Sequence, residues 1–339
     1  MLEEIKKVLD LALKDSNIQS ETDFSKLIRD ELADTPNPED TSFDKITSED
    51  LNNLYEIRAK VLDWELGTGY LGFFAKNKGT RYTFTRRLEV MMKQMPPLGN
   101  KTVLEVGCGA GIISLELAKT AKKVVGIDVT ETGLDFGRKL ASALNYSHVE
   151  FKKGDAEHLE FEDESFDVIV CSEVLEHLLD PSKAVSEFHR VLKRDGTLII
   201  TTPCATSLSE IFLDFIRIFK RDLQVEKEKQ FDKKAYLAMQ REVQNISADK
   251  FIRVHKRFGY KRLVEKFNKQ GFKVINAKGA VFAFPPHYQV FYRYCPSVVL
   301  PVVRGMEWLL NAVGVFQKFG SVTTSFLTYS HSENKLQNN

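Results

Sequence analysis

Apolar residues along this chain come in two rhythms. Short runs such as Val103-Leu104-x-Val106, Val124-Val125-x-Ile127, Val168-Ile169-Val170 and Leu198-Ile199-Ile200 are continuous and β-branched. Runs of this kind suit strands buried on both faces. Between them, apolar positions recur at helical spacing. The predicted core is strand Val103–Val106, a helix through Lys119, strand Lys123–Asp128, helix Gly133–Leu144 and strand Val149–Phe151. Strand Phe166–Cys171, helix Pro181–Leu192, a turn at Asp195-Gly196 and strand Thr197–Thr202 follow. Helix Tyr260–Lys269, a stop at Gly271, strand Phe272–Ile275 and a last strand over Ser321–Leu327 complete it. Strands alternating with helices imply a mostly parallel sheet covered on both faces.

The flanks follow other patterns. Residues 1–98 read as a helical extension, with Ile5, Val8, Leu9, Ala12 and Leu13 on one face, a linker at 34–40, a helix over Asp50–Trp64 and another over Arg81–Met95. As a lid, this extension would bring Tyr70, Phe73, Arg81 or Tyr82 to a ligand. Residues 99–205 form the nucleotide-binding core. Residues 206–252 are too long for a loop and read as a helical insertion whose stripe Ile211, Phe212, Phe215, Ile216 and Phe219 caps a substrate. Residues 253–331 resume the core and include an apolar helix from Val302 to Phe316, and 332–339 read as a disordered tail.

Composition narrows the function. The 339 residues carry 48 basic and 47 acidic side chains, a net +1, so no global attraction to nucleic acid is expected. The four cysteines, Cys108, Cys171, Cys204 and Cys295, form no C-x-x-C pair and fit free thiols in a reducing compartment, hence a cytoplasmic protein. The start of the chain lacks the basic-then-apolar pattern of an export signal, and no apolar run reaches membrane-spanning length.

Candidate chemistry lies at the carboxyl ends of the core strands, where open parallel sheets bind ligands. The first ends in Glu105-Val106-Gly107-Cys108-Gly109-Ala110-Gly111, a glycine turn into a helix whose N-terminus would face a polar or anionic ligand group. The second ends in Asp128, about twenty residues after Gly107, where a carboxylate can accept both ribose hydroxyls and repel a 2′-phosphate. The third leads to Gly154-Asp155-Ala156 and the fourth to Ser172-Glu173. Against a nicotinamide-dependent oxidoreductase stands the glycine spacing, since dehydrogenase loops read G-x-G-x-x-G. A non-catalytic cofactor-binding scaffold is the other alternative. No Asn-Pro-Pro-Tyr-like base-methylation motif follows the fourth strand.

In this order the motifs resemble those of class I S-adenosylmethionine-dependent methyltransferases, most closely the type 11 group that includes ubiquinone-biosynthesis O-methyltransferases. The match is tight over about 100–205 and loose over 254–278, with Asp195 where a glycine is usual. The resemblance implies a Rossmann-like, seven-stranded, mostly parallel sheet with S-adenosyl-L-methionine as cofactor. It implies cofactor contacts from Glu105, Gly107, Cys108, Gly109, Gly111, Asp128, Val129, Asp155, Ala156 and Ser172. Glu105 sits beneath the methionine end of the cofactor in such enzymes, or alternatively braces the loop. The block Glu173-x-x-Glu176-His177 has been linked there to metal or catalysis. His177, Glu176 and His255 are the catalytic candidates, and Glu173, Glu176 and His177 a low-ranked cation site beside the simpler reading of no metal. The apolar insertion, the C-terminal helix and the aromatics Phe282, Phe284, Tyr288, Phe291, Tyr292 and Tyr294 fit either ordinary core packing or a dimer interface, or a small, lipophilic acceptor met at a membrane surface. O-methylation is the favoured outcome.

Overall fold

The computed structural model describes residues 78–202, 258, 260–280 and 324–331, together with positions 52, 55, 56, 301, 305, 308 and 309. The elements, in chain order, are α1 (Lys78–Met92), β1 (Thr102–Val106), α2 (Ile112–Leu117), β2 (Lys123–Asp128), α3 (Glu131–Ala143) and β3 (Val149–Lys153). Then come β4 (Phe166–Ser172), a 3₁₀ turn at Leu175–His177, α4 (Pro181–Val191), β5 (Leu192–Thr202), α5 (Tyr260–Lys269), β6 (Phe272–Ala280) and β7 (Thr324–His331). Strands β1 to β5 pair in parallel in the order β3-β2-β1-β4-β5. The β7 strand adds to β5 antiparallel, and β6 pairs antiparallel with β7 at the edge.

The alternation of side chains explains the continuous apolar runs. Val103, Val124, Val168, Val170 and Ile199 face one core, shared with Leu88 and Met91 of α1, Leu115 and Leu117 of α2, and Leu134 and Leu140 of α3. Leu104, Val125, Ile127, Ile169, Cys171, Leu198 and Ile200 face the other, under Val185 and Phe188 of α4 and Leu263 and Phe267 of α5. Strands pressed from both sides need apolar residues at every position. The ends of α4 and α5 follow local chemistry. Asp180 caps α4 by accepting from Ser182 N–H at 2.9 Å, with Pro181 in its first turn. After α5, Gly271 takes φ +86 as the expected stop.

Several boundaries differ from the sequence reading: β6 runs on to Ala280, β7 extends past Leu327 to His331, and β5 starts earlier. Asp195-Gly196 does not separate α4 from a strand that begins at Thr197. The strand begins at Leu192, paired with Phe166, and resumes at Thr197, paired with Val168. Residues 193–196 therefore bulge opposite Asp167 alone, and Lys193 Nζ meets Asp167 Oδ1 at 2.9 Å across the bulge. A bulge accommodates the turn-forming dipeptide without ending the strand. The predicted insertion, the 253–257 stretch, most of the N-terminal extension, Cys204 and Cys295 and the tail lie outside the described residues.

Candidate cofactor and acceptor site

The order β2-β1-β4 places the switch point of the sheet beside β1, since α2 and α3 lie on one face and α4 on the other. Ligands bind at the carboxyl ends of strands flanking such a point. The glycine loop lies there. Gly107, Gly109 and Gly111 all have positive φ, at +69, +53 and +72. A Cβ on Gly107 would stand 2.2 Å from Val174 Cγ2, and one on Gly111 would stand 2.3 Å from Phe151 Cζ. Both glycines are thus required by backbone geometry and by the protein's own packing. Phe151 also lies within about 3 Å of a Cβ built on Gly126 or Gly137, so its ring fills a notch lined by three glycines.

The loop's own amides are largely occupied. Cys108 N–H donates to Ile127 O at 2.9 Å, Gly109 N–H to Asp128 Oδ2 at 2.7 Å and Gly111 N–H to Cys108 O at 2.8 Å. In the first turn of α2, Ser114 is engaged as well. Glu105, 2% exposed, accepts a very short hydrogen bond from Ser114 Oγ and a backbone bond from the same residue. A carboxyl of the protein itself thus stands at this helix start. Its contacts are those of the bracing alternative. Burial pushes the Glu105 carboxyl up to about 8, partly offset by Ser114.

Asp128 ties β2 to the loop. Its Oδ1 accepts from Thr130 N–H at 2.9 Å and Thr130 Oγ at 2.6 Å, and its Oδ2 accepts from Gly109. Burial raises its pKa, while those three donors oppose the rise. A carboxylate offers about four acceptor positions, so one remains beside Gly109. Val129 is half-buried next to it. Asp155 Oδ1 accepts from Glu157 N–H at 2.8 Å, in a turn where Ala156 is buried. Cys108 and Cys171 are free, buried thiols, and burial holds both pKa values well above the ordinary range.

On the β4 and β5 side the polar groups form one network. Ser172 Oγ and Thr201 Oγ1 lie 2.9 Å apart, and Thr201 donates to Glu173 Oε1 at 2.9 Å. Glu173 takes the left-handed conformation at φ +59, and Arg87 Nη1 of α1 stands 3.4 Å from its Oε2. Thr202 Oγ1 donates to Glu176 Oε2 at 3.1 Å, and Glu176 is 1% exposed. Burial raises the pKa of both glutamates, and the charge of Glu173 raises Glu176 further. His177 Nε2 lies 4.0 Å from Glu176 Oε1. Glu173 turns to Arg87 and Thr201 while Glu176 turns to Thr202. Among the described residues, no three His, Cys, Asp or Glu side chains gather into a metal-binding set, so the cation site suggested for Glu173, Glu176 and His177 is not assembled. His255 lies outside the described residues.

Several contributors to the rim escaped the sequence reading. Tyr55, Glu56 and Arg87 reach the strand ends from the N-terminal side, by way of His177, Thr132 and Glu173. Of the expected lid residues, Tyr82 is buried, while Tyr70 and Phe73 and the side chain of Arg81 lie outside what is described. Only a weak signal pointed to α1, its position just before the first strand, and none singled out Arg87.

A Rossmann-like domain with a glycine loop after β1, Asp128 at the end of β2 and Asp155 after β3 has the features of a nucleoside site without a phosphate cradle. Acidic groups suit a ribose diol and a cationic ligand, and repel phosphate, so the residues fit S-adenosylmethionine. Residues 98–250 match the family model described as a methyltransferase domain. The ubiquinone biosynthesis O-methyltransferase of Actinobacillus pleuropneumoniae (strain AP76) is 37% identical over 120 residues, 34% of this chain and 51% of that protein. An uncharacterized methyltransferase of Bacillus subtilis, YcgJ, is 34% identical over 113 residues, 33% of this chain and 45% of that protein. The crystal structure of YcgJ aligns over 72% of this chain and 97% of that one, with 20% identity and a TM-score of 0.45. The chain spans about half the length of the curated relatives it matches. The sequence matches over residues 98–250 are to methyltransferases, in line with the motifs' resemblance to the class I S-adenosylmethionine-dependent group.

Proposed function

We propose that this protein transfers a methyl group from S-adenosylmethionine to a small, lipophilic acceptor, with a hydroxyl oxygen as the preferred nucleophile. The observation that carries the reading is the ordered set at the strand ends: three positive-φ glycines after β1, Asp128 at the end of β2 and Asp155 after β3. The donor supplies an activated methyl, because its sulfur leaves as a neutral thioether. The chain's task is then alignment and exclusion of water. In this reading Gly107, Cys108, Gly109 and Gly111 shape the cleft, and the open position on Asp128 takes a ribose hydroxyl beside Val129. Asp155 and Ala156 border the base, and Ser172 borders the donor on the β4 side. Glu105 acts through α2, holding the loop from below.

His177 is the candidate acceptor of the hydroxyl proton, because a neutral imidazole carries a nitrogen that can accept one. Glu176 serves as its neighbour at 4.0 Å. His255 is the second candidate. The lipophilic acceptor is supported by the printed names of relatives 32–41% identical, ubiquinone biosynthesis O-methyltransferases. It is supported also by exposed Trp308 and Leu309, at 72% and 54%, which suit contact with a lipid surface. Among the described residues no helix is long and apolar enough to cross a membrane. Free, buried Cys108 and Cys171 agree with a reducing compartment.

The test is incubation with methyl-labelled S-adenosylmethionine and either lipid extracts or small phenols, followed by the mass and labelling position of the product. Label on an oxygen of an apolar product is the expected result. Calorimetry that shows binding of a nicotinamide dinucleotide and none of S-adenosylmethionine would overturn the reading.

A further inference from the structure

Residues 154–165 lead from β3 to β4 and carry Asp155 and Ala156 near their start. This link is laid along α4. Glu157 Oε1 accepts from Asp180 N–H at 2.9 Å, at the N-cap of the helix. Leu159 N–H donates to Glu187 Oε2 at 2.9 Å, and Leu159 O accepts from Arg190 Nη2 at 2.8 Å. Phe161 O accepts from Arg190 Nη1 at 2.7 Å, and Glu164 N–H donates to Arg190 O at 3.0 Å. Asp180, Glu187 and Arg190 thus meet Glu157, Leu159 and Phe161 in the same order along both segments.

Leu159 is 3% exposed, so its backbone groups need partners within the protein. One ion pair of α4 supplies both. Arg190 Nε and Nη2 donate to the two oxygens of Glu187 at 2.9 and 2.7 Å, and Nη1 reaches Asp163 Oδ1 at 2.9 Å. With the carbonyls of Leu159 and Phe161, these acceptors match every N–H donor of the guanidinium. Hydrogen bonding to Arg190 also holds the Glu187 carboxyl below its ordinary pKa. Ala156 and Leu159 share a core with Ala184, Val185 and Phe188 of α4. Apolar burial is non-directional and tolerates sliding, whereas these hydrogen bonds fix one register. Asp155 takes part in that register, since its Oδ1 accepts the N–H of Glu157 at 2.8 Å.

We propose that Glu187 and Arg190 are positioning residues for the base of the methyl donor. By clamping Leu159 they set where Asp155 and Ala156 stand, and so the preference for adenine over other bases. The inference rests on the donor assignment made above. In that assignment Asp155 Oδ2 accepts an N–H of the adenine amine, and a base with a carbonyl oxygen in its place is repelled.

The test compares S-adenosylhomocysteine with S-inosylhomocysteine, whose base carries a carbonyl oxygen instead of the amine, by calorimetry on the full chain. The wild type is expected to prefer the adenine ligand. Arg190→Lys keeps the charge, but an ammonium cannot reach Leu159 O, Phe161 O and Glu187 together. The variant is expected to lower the preference about tenfold, the reach of one charged hydrogen bond, with affinity for S-inosylhomocysteine within about twofold of the wild type. Should Arg190→Lys fail to fold, Glu187→Gln carries the same comparison, since it breaks the ion pair and keeps an acceptor for Leu159 N–H. A preference that holds while the melting temperature falls, or equal losses for both ligands, overturns the positioning role. A wild type that binds neither ligand instead overturns the donor assignment, and one that binds both alike overturns the place of Asp155 beside the base.

Discussion

Glu105→Gln isolates the buried acid beneath the glycine loop. The substitution preserves shape and leaves an oxygen to accept from Ser114, but removes the titration. In the folded protein burial moves the Glu105 carboxyl from 4.5 to about 8. A carboxyl raised by folding binds its proton more tightly in the native state. Its contribution to stability is therefore complete below pH 4.5 and is lost as pH rises toward 8. Each pH unit within that window lowers wild-type stability by about 1.4 kcal/mol relative to the glutamine variant. Between pH 5.5 and 7.5 the difference is roughly 3 kcal/mol. Other buried acids, including Glu173 and Glu176, titrate in both proteins and cancel from the comparison. Urea unfolding of both at pH 5.5, 6.5 and 7.5 measures the effect, and the glutamine variant should gain on the wild type at each step. Two stability curves that run parallel across this range would refute the argument that Glu105 is held protonated.

Further outcomes follow from the same geometry. Asp128→Ala removes the acceptor of Gly109 and Thr130, and should weaken S-adenosylhomocysteine binding by roughly 1–3 kcal/mol while lowering the melting temperature. Unchanged affinity by calorimetry would sink the ribose assignment. Gly107→Ala meets Val174 at 2.2 Å in a left-handed conformation. Adding Val174→Ala should recover the steric part and leave a residual cost of about 1–2 kcal/mol from the backbone, read by thermal unfolding. Thr202→Val keeps the side-chain shape but strips buried Glu176 of its hydroxyl donor. A loss of about 1–3 kcal/mol in denaturant titration is expected, with no change in donor binding.

The parallel core was legible in the sequence because each central strand is buried on both faces and reads as an uninterrupted β-branched run. The strand-end acids were legible because they follow those runs directly. The start of β5 was not, because Asp195-Gly196 carries the same local signal in a bulge as in a chain reversal, and only pairing with Phe166 distinguishes the two. The engagement of Glu105 with Ser114 was open in the sequence, since a carboxylate before a glycine loop can point to ligand or to helix. Tyr55, Glu56 and Arg87 left no local trace. Each meets a partner more than 70 residues away in the chain, and a lone tyrosine, glutamate or arginine on a helical segment reads as surface.

Glu173 sets a backbone cost against a side-chain network. A β-carbon in the left-handed region costs roughly 1–2 kcal/mol, and glycine would adopt φ +59 freely. Glu173→Gly should therefore relax the backbone at the end of β4. It would also delete the carboxylate that Thr201 and Arg87 hold in common. Thermal unfolding of Glu173→Gly thus weighs the relieved backbone against the lost contacts with Thr201 and Arg87.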